Sequence, residues 1–196
     1  MNDRLTRAGF LEGVALAGGG VVVGGVLLGG LPDFAASKPS AKQDAEILNF
    51  ALTMEYVQSG FYKEALKRGT LEGELREYAQ TVGGQEDEHV AFIEKALGKA
   101  AGKKPKLDFG DDTGSPEAFA QAALKLEDLG VAAYNAQAPN LTKGTLAAAG
   151  QIVSVEARHA AWIRAIAGEN PAPEASEPTA SAKRVVSTLN GSGYLG

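Results

Sequence analysis

Both histidines of this chain sit three residues after a glutamate, in Glu86-Asp87-Glu88-His89 and in Glu156-Ala157-Arg158-His159. Residues three apart share a helix face, so each pair can present a carboxylate and an imidazole to one ion. The spacing alone is weak, because most such pairs are helix-surface hydrogen bonds. The faces decide between the two readings. At about 100° per residue, Glu86 and His89 fall in the centre of a stripe formed by Leu71, Leu75, Ala79, Val82, Ile93 and Leu97. Asp87 and Glu88 point away from it. Glu156 and His159 fall likewise among Ala148, Ile152, Val155, Ile163 and Ile166, with Arg158 and Arg164 outside.

Two further helical stretches each carry one glutamate in an apolar stripe. Glu55 lies with Leu48, Ala51, Leu52, Met54, Tyr62 and Leu66, and Glu127 with Ala120, Ala123, Gly130 and Tyr134. A buried carboxylate without a partner costs several kcal/mol. Four facing one another need compensating positive charge, yet no Lys or Arg lies on these faces. Two divalent cations balance four carboxylates, and two neutral imidazoles complete the donor set. The spacing therefore predicts a dinuclear site made by Glu55, Glu86, His89, Glu127, Glu156 and His159.

Capping signals predict four helices and no strands. Ser40 with Gln43 makes a capping box; Gly69 ends helix one and Thr70 caps helix two, which runs to about Ala101. Ser115-Pro116 opens helix three, and Pro139 and Asn140 end it. Thr142 or Thr145 starts helix four, and Gly168 closes it. Glu55 and Glu86 are equidistant from the turn at Gly69-Thr70, and Glu127 and Glu156 from the turn near Pro139 to Thr142. The hairpins also repeat: Glu55 to Glu127 and Tyr62 to Tyr134 are each 72 residues, and Glu86 to Glu156 and His89 to His159 are each 70. All four glutamates converge only if helices two and three run parallel. The segment 102–115 must then cross the bundle's length, and its 14 residues reach roughly 46 Å when extended.

One Glu on each of helices one and three, Glu-x-x-His on each of two and four, and a long crossover between two and three resemble the ferritin-like di-iron carboxylate superfamily. The resemblance covers about residues 40–168, and within it the exported single-domain proteins related to plant desiccation-related proteins look closest. It implies an all-α four-helix bundle holding two Fe ions, with Mn as the alternative metal. It makes Glu86 and Glu156 bridging carboxylates, Glu55 and Glu127 terminal ligands, and His89 and His159 ligands of one metal each. The activity it implies is a di-iron oxidase that oxidises Fe(II) with oxygen or peroxide. A manganese catalase-like peroxide scavenger and a non-enzymatic desiccation or stress-related bundle with a structural metal are the other readings. Rubrerythrin-type chemistry fits less well, because Gly130 stands where a further glutamate is expected and the chain has no cysteine. Tyr62 and Tyr134, each two turns after a glutamate, are expected to contact the ligands. Gln58 is expected to make a structural hydrogen bond and Trp162 to pack.

Three segments follow: 1–39, 40–168 and 169–196. The first has Arg4 and Arg7 ahead of an uncharged Gly/Val/Leu stretch, the layout of an export signal or N-terminal anchor. Thr6-Arg7-Ala8-Gly9-Phe10-Leu11 is similar to a twin-arginine signal, with Ala8 in place of the second arginine. An extracytoplasmic or membrane-anchored protein is expected. The last segment, rich in Pro, Ala and Ser, reads as a surface tail in which residues 180–189 form a short helix, docked through Val185 and Leu189. The net charge of −5 and the absence of a basic face argue against nucleic acid. Lack of cysteine excludes disulfides, thiolate metal sites and a cysteine nucleophile. Oligomer or cage formation is left open.

Overall fold

The computed structural model describes residues 38–196; the expected export signal lies outside the described residues. The described residues form five α-helices: α1 (Ala41–Arg68), α2 (Gly73–Leu97), α3 (Pro116–Gln137), α4 (Lys143–Ile166) and α5 (Ala182–Gly191). None of the described helices is long and apolar enough to cross a membrane. The first four form an all-α bundle in which α1 pairs closely with α2 and α3 with α4, while α1 also packs on α3 and α2 on α4. Contacts fix the directions. Tyr62 meets Glu127 and Tyr134 meets Glu55, so α1 and α3 are antiparallel. Tyr62 also meets Tyr78, and Tyr56 meets Glu94, so α1 and α2 are antiparallel. Helices α2 and α3 therefore run parallel, joined by the long crossover.

Helix ends follow local chemistry with two departures from expectation. Ser40 accepts from the Gln43 amide and Ser115 from the Ala118 amide, as capping requires. Gly69 is left-handed, with φ 72°, a conformation that costs a Cβ-bearing residue about 1 kcal/mol or more. Thr70 does not cap α2. The helix starts later, after Glu72, whose side chain makes no cap bond. Burial of Leu71 under the bundle extends the turn and overrides the local preference. Helix α2 ends at Leu97, and Gly98–Ala100 continues it as one tighter 3₁₀ turn. Helix α4 does begin after Thr142, but the Thr142 hydroxyl donates to Asp44 rather than capping its own helix. Asp44 also accepts from the Thr142 amide (2.9 Å) and the Thr145 hydroxyl (2.6 Å), tying α4's first turn to α1.

The layer containing the four glutamates divides the core into two apolar clusters. One, towards the Gly69 turn, holds Phe61, Tyr62, Tyr78, Val82, Phe119 and Ile163. Phe61 and Phe119 stack with centroids 5.3 Å apart. The other, towards the Pro139 turn, holds Ile47, Leu52, Ile93, Leu97, Tyr134 and Ile152. At Gly83 the helices approach closely, since a Cβ there would lie 2.9 Å from the Tyr62 Cβ.

The crossover and the C-terminal segment belong to the packed structure. Phe109 and Thr113 are buried. Leu107 and Leu195 form an isolated antiparallel bridge, Tyr194 donates to Asp112 at 2.5 Å, and the Tyr194 ring packs on Phe109. Helix α5 buries Val185, Val186 and Leu189, and the Ala180 amide donates to the Ala132 carbonyl of α3.

Candidate metal centre

Each helix delivers its glutamate to the same layer because the stripe that buries the helix also carries the carboxylate. Glu55, Glu86, Glu127 and Glu156 are all 0 % exposed. His89 and His159 are buried beside them, with ring centroids 6.1 Å apart. The six fall into two overlapping groups, Glu55–Glu86–His89–Glu156 and Glu86–Glu127–Glu156–His159. Within each group, one donor atom per residue lies within 4.8 Å of all the others. Glu86 and Glu156 belong to both groups.

Near-symmetric contacts position the imidazoles. His89 Nδ1 lies 3.0 Å from Glu156 Oε1, 3.4 Å from Glu55 Oε2 and 3.5 Å from Glu86 Oε2. His159 Nδ1 lies 3.1 Å from Glu86 Oε1 and 3.2 Å from Glu127 Oε2. His159 Nε2 points the other way and lies 2.6 Å from Gln85 Oε1. An amide oxygen only accepts, so Nε2 carries a proton, and Nδ1 is the ring nitrogen that faces the carboxylates: protonated it donates to them, and deprotonated it can ligate.

The outer oxygens of the glutamates are held by hydroxyl and amide donors. Tyr62 donates to Glu127 Oε1 at 2.5 Å, and Tyr134 donates to Glu55 Oε1. The Gln58 amide donates to Glu156 Oε2 (3.1 Å) and Glu127 Oε1 (3.3 Å). Tyr62 gives its single proton to Glu127, so Tyr78, 3.1 Å away, donates to Tyr62. Trp162 packs edge-on against Tyr78 and donates to Glu74. Tyr62 and Tyr134 each bond a glutamate of the layer, Gln58 bonds two, and Trp162 packs outside it. Gln85 and Tyr78 were not singled out from the sequence. Gln85 adjoins Glu86 at the stripe's edge, which is the one signal available for it.

Burial and mutual contacts shift the ionisation of this layer. Burial pushes Glu86 well above the usual carboxylate range, and the charges of Glu156 and Glu55 add to the shift. Burial, followed by the Glu55 charge, raises Glu156 to about 7. Burial also pushes Glu55 up, but its contacts with His89 and Tyr134 outweigh this and leave it below its ordinary value. Burial lowers both histidines, and the carboxylates around them more than reverse it. His89 is raised far above its ordinary value by Glu156, Glu55 and Glu86, and His159 is raised to about 10, chiefly by Glu127 and Glu86.

The donor set fits a metal ion. Among the described residues, six buried side-chain polar atoms make no well-aligned hydrogen bond, though some lie within ion-pair distance of one another. Five of them are Glu55 Oε2, both Glu86 oxygens, His89 Nδ1 and Glu156 Oε1. Buried polar atoms are rarely left unpaired, and these five converge on one layer. Carboxylate oxygens and imidazole nitrogens in such a set suit hard to intermediate divalent ions. A ferritin-like domain model matches residues 43–169, most of the chain, and the protein belongs to that family. No curated protein matches the chain.

Proposed function

We propose that the six residues bind two iron ions and that the centre is an oxidase, taking electrons from Fe(II) and passing them to dioxygen or peroxide. The observation that carries this reading is the pair of overlapping donor groups that share Glu86 and Glu156. Glu86 and Glu156 would be shared between the two ions, with Glu55 and His89 serving one and Glu127 and His159 the other. Two divalent ions match four carboxylates in charge, which removes the cost of their mutual repulsion in a dry core. A metal pair supplies Lewis acidity and two adjacent redox centres.

The chain's own residues set the conditions for that chemistry. Tyr62, Tyr134 and Gln58 fix the carboxylate oxygens that face away from the His nitrogens, which leaves the inner oxygens free to ligate. Gln85 holds His159 in the tautomer that presents Nδ1. Six side chains, two of them shared, would offer each ion fewer donors than a full octahedral set. Open positions are what a reacting centre requires and a structural one lacks.

The test is elemental analysis of anaerobically purified full-length chain, followed by Fe(II) loading and exposure to oxygen. Two metals per chain, and oxidation faster than that of free Fe(II), are expected. The double substitution H89A/H159A should keep its helical circular dichroism and bind no metal. Oxidation no faster than free Fe(II) would leave only a structural metal. Two manganese ions with catalase activity would replace the iron assignment.

A further inference from the structure

An unbroken line of oxidisable side chains joins one glutamate of the layer to the protein surface. Tyr62 donates to Glu127 Oε1 at 2.5 Å, while His159 faces the other oxygen. Tyr78 lies 3.1 Å from the Tyr62 hydroxyl, and the two rings meet edge to face with centroids 5.9 Å apart. The Trp162 indole meets Tyr78 edge-on at 5.3 Å. Tyr62 and Tyr78 are fully buried. Trp162, the only tryptophan in the chain, is half-buried, and its Nε1–H donates to Glu74 at 3.1 Å on the exposed side. Packing alone does not call for these groups. A phenylalanine at position 78 would fill the same place and bury no hydroxyl, whose desolvation its hydrogen bond only offsets. The line is also one-sided. Tyr134 repeats Tyr62, but 70 residues on from Tyr78 the chain has Ala148, so the second hairpin does not repeat the middle member.

In a chain without cysteine, tyrosine and tryptophan are the side chains most readily oxidised by one electron, and ring contact makes electron transfer between them fast. We infer that Trp162, Tyr78 and Tyr62 form an electron conduit, through which a small one-electron donor at the surface reduces the metal centre without entering it. The inference rests on the oxidase reading above and adds a second source of electrons for dioxygen or peroxide. The hydrogen bonds let the charges balance. An electron that Tyr62 gives up inward is matched by its hydroxyl proton passing to Glu127 Oε1. Tyr78 then gives Tyr62 an electron and its own hydroxyl proton. When Trp162 supplies an electron to Tyr78, each proton steps back along its bond, from Tyr62 to Tyr78 and from Glu127 to Tyr62. The net change is one electron moved inward from Trp162 and no proton lost. The positive charge left on the indole lies beside the Glu74 carboxylate until the external donor restores it.

The conduit is testable without any metal. Pulse radiolysis in azide oxidises the single indole of the metal-free full-length chain by one electron. The indole radical should decay at a rate independent of protein concentration, while a tyrosyl radical rises in step. Tyr78→Phe and Tyr62→Phe, each shown to be folded by circular dichroism, should abolish that transfer. Tyr56→Phe, whose hydroxyl bonds Glu94 away from the line, should retain it. An indole radical that persists in the wild type, or transfer that survives in folded Tyr78→Phe or folded Tyr62→Phe, would overturn the conduit. In the Fe(II)-loaded chain exposed to oxygen, a water-soluble ferrocene should be oxidised along with Fe(II), and Trp162→Phe should lower the ratio of ferrocene to Fe(II) oxidised. An unchanged ratio would overturn the supply role. If the wild type oxidises Fe(II) no faster than free Fe(II), the oxidase reading fails and the supply role falls with it, even where the radical moves inward in the metal-free chain.

Discussion

Tyr62 on α1 donates to Glu127 on α3, and Tyr134 on α3 donates back to Glu55 on α1, so each tyrosine holds the glutamate of the opposite hairpin. The two bonds tie α1 to α3 at the level of the site and orient one carboxylate at each end of it. Both hydroxyls are buried, which pushes both tyrosines well above their ordinary pKa; the facing glutamates, Glu127 for Tyr62 and Glu55 for Tyr134, push further in the same direction. They remain donors across the working pH range.

Tyr62→Phe should therefore cost stability on two counts. Glu127 Oε1 loses its short bond, and the buried Tyr78 hydroxyl loses its acceptor. About 1–3 kcal/mol is expected for a buried polar group left unpaired, or a drop in Tm of about 2–4 °C per kcal/mol for a chain of this size. Adding Tyr78→Phe should cost less than Tyr78→Phe alone, because the hydroxyl it removes is already stranded. Thermal melts of the two single variants and the double variant check this, and strict additivity would refute the relay from Tyr78 to Tyr62.

Metal loading should release protons. Glu86 and Glu156 are raised by burial and neighbouring carboxylates, and His89 and His159 by the glutamates around them. Ligands bind in their deprotonated form. Near pH 7 a net release of protons is expected, read by calorimetry in buffers of different ionisation enthalpy. Apparent metal affinity should rise with pH.

Stability of the metal-free protein should run the other way. A group whose pKa is higher in the folded chain binds protons on folding. Its contribution is complete below the unfolded value and disappears as pH climbs through the folded one. Glu156 spans 4.5 to about 7 and His159 spans 6.5 to about 10. Glu55 opposes this trend, its folded pKa being lowered. Since Glu86, His89, Glu156 and His159 all shift upward, the metal-free Tm should fall from pH 5 to pH 9, whereas the metal-loaded Tm should not. A metal-free Tm that climbs over that range would contradict the assignment of protons to the empty layer.

Gln85→Leu should weaken metal binding while preserving the fold. The substitution removes the acceptor that fixes His159 Nε2–H. Loss of such supporting partners typically weakens metal affinity by about 10–100-fold. Gln85→Glu retains an acceptor oxygen and should restore much of the loss, a rescue that a purely steric effect of Leu would not produce. Competition with a chromophoric chelator measures both.

Leu189→Ala should destabilise the bundle although it lies far along the chain from the site. Leu189 is 2 % exposed and packs in the cluster that contains Phe61 and Phe119. Emptying such a site costs about 2–5 kcal/mol. Urea denaturation checks it, with an unchanged m-value expected because the same surface is exposed on unfolding.

What could be read in advance follows the periodicity of the stripes. Glu55, Glu86, Glu127 and Glu156 were legible because a lone charge in an apolar face has few explanations, and the crossover was legible because those faces must meet. The late start of α2 was not, because Leu71 is pulled under the bundle by tertiary packing that outweighs the cap Thr70 offers. Asp44, four residues beyond a capping serine, looks like an ordinary first-turn acid. Its bonds to Thr142 and Thr145 join positions about a hundred residues apart, which no local pattern encodes. The Pro-rich stretch after Gly168 hid the docking of Tyr194 and Leu195 on the crossover for the same reason.

The exchange of hydroxyls between the hairpins bears on ancestry. A hairpin of α1 and α2 taken alone would have a Glu55 without its tyrosine and a Tyr62 without its glutamate. Its twin would be deficient in the same two ways. An ancestor of half this length would have found the missing donor and the missing acceptor only in a second copy of itself, so the two-helix unit would have been obliged to dimerise before fusion joined the copies into one chain.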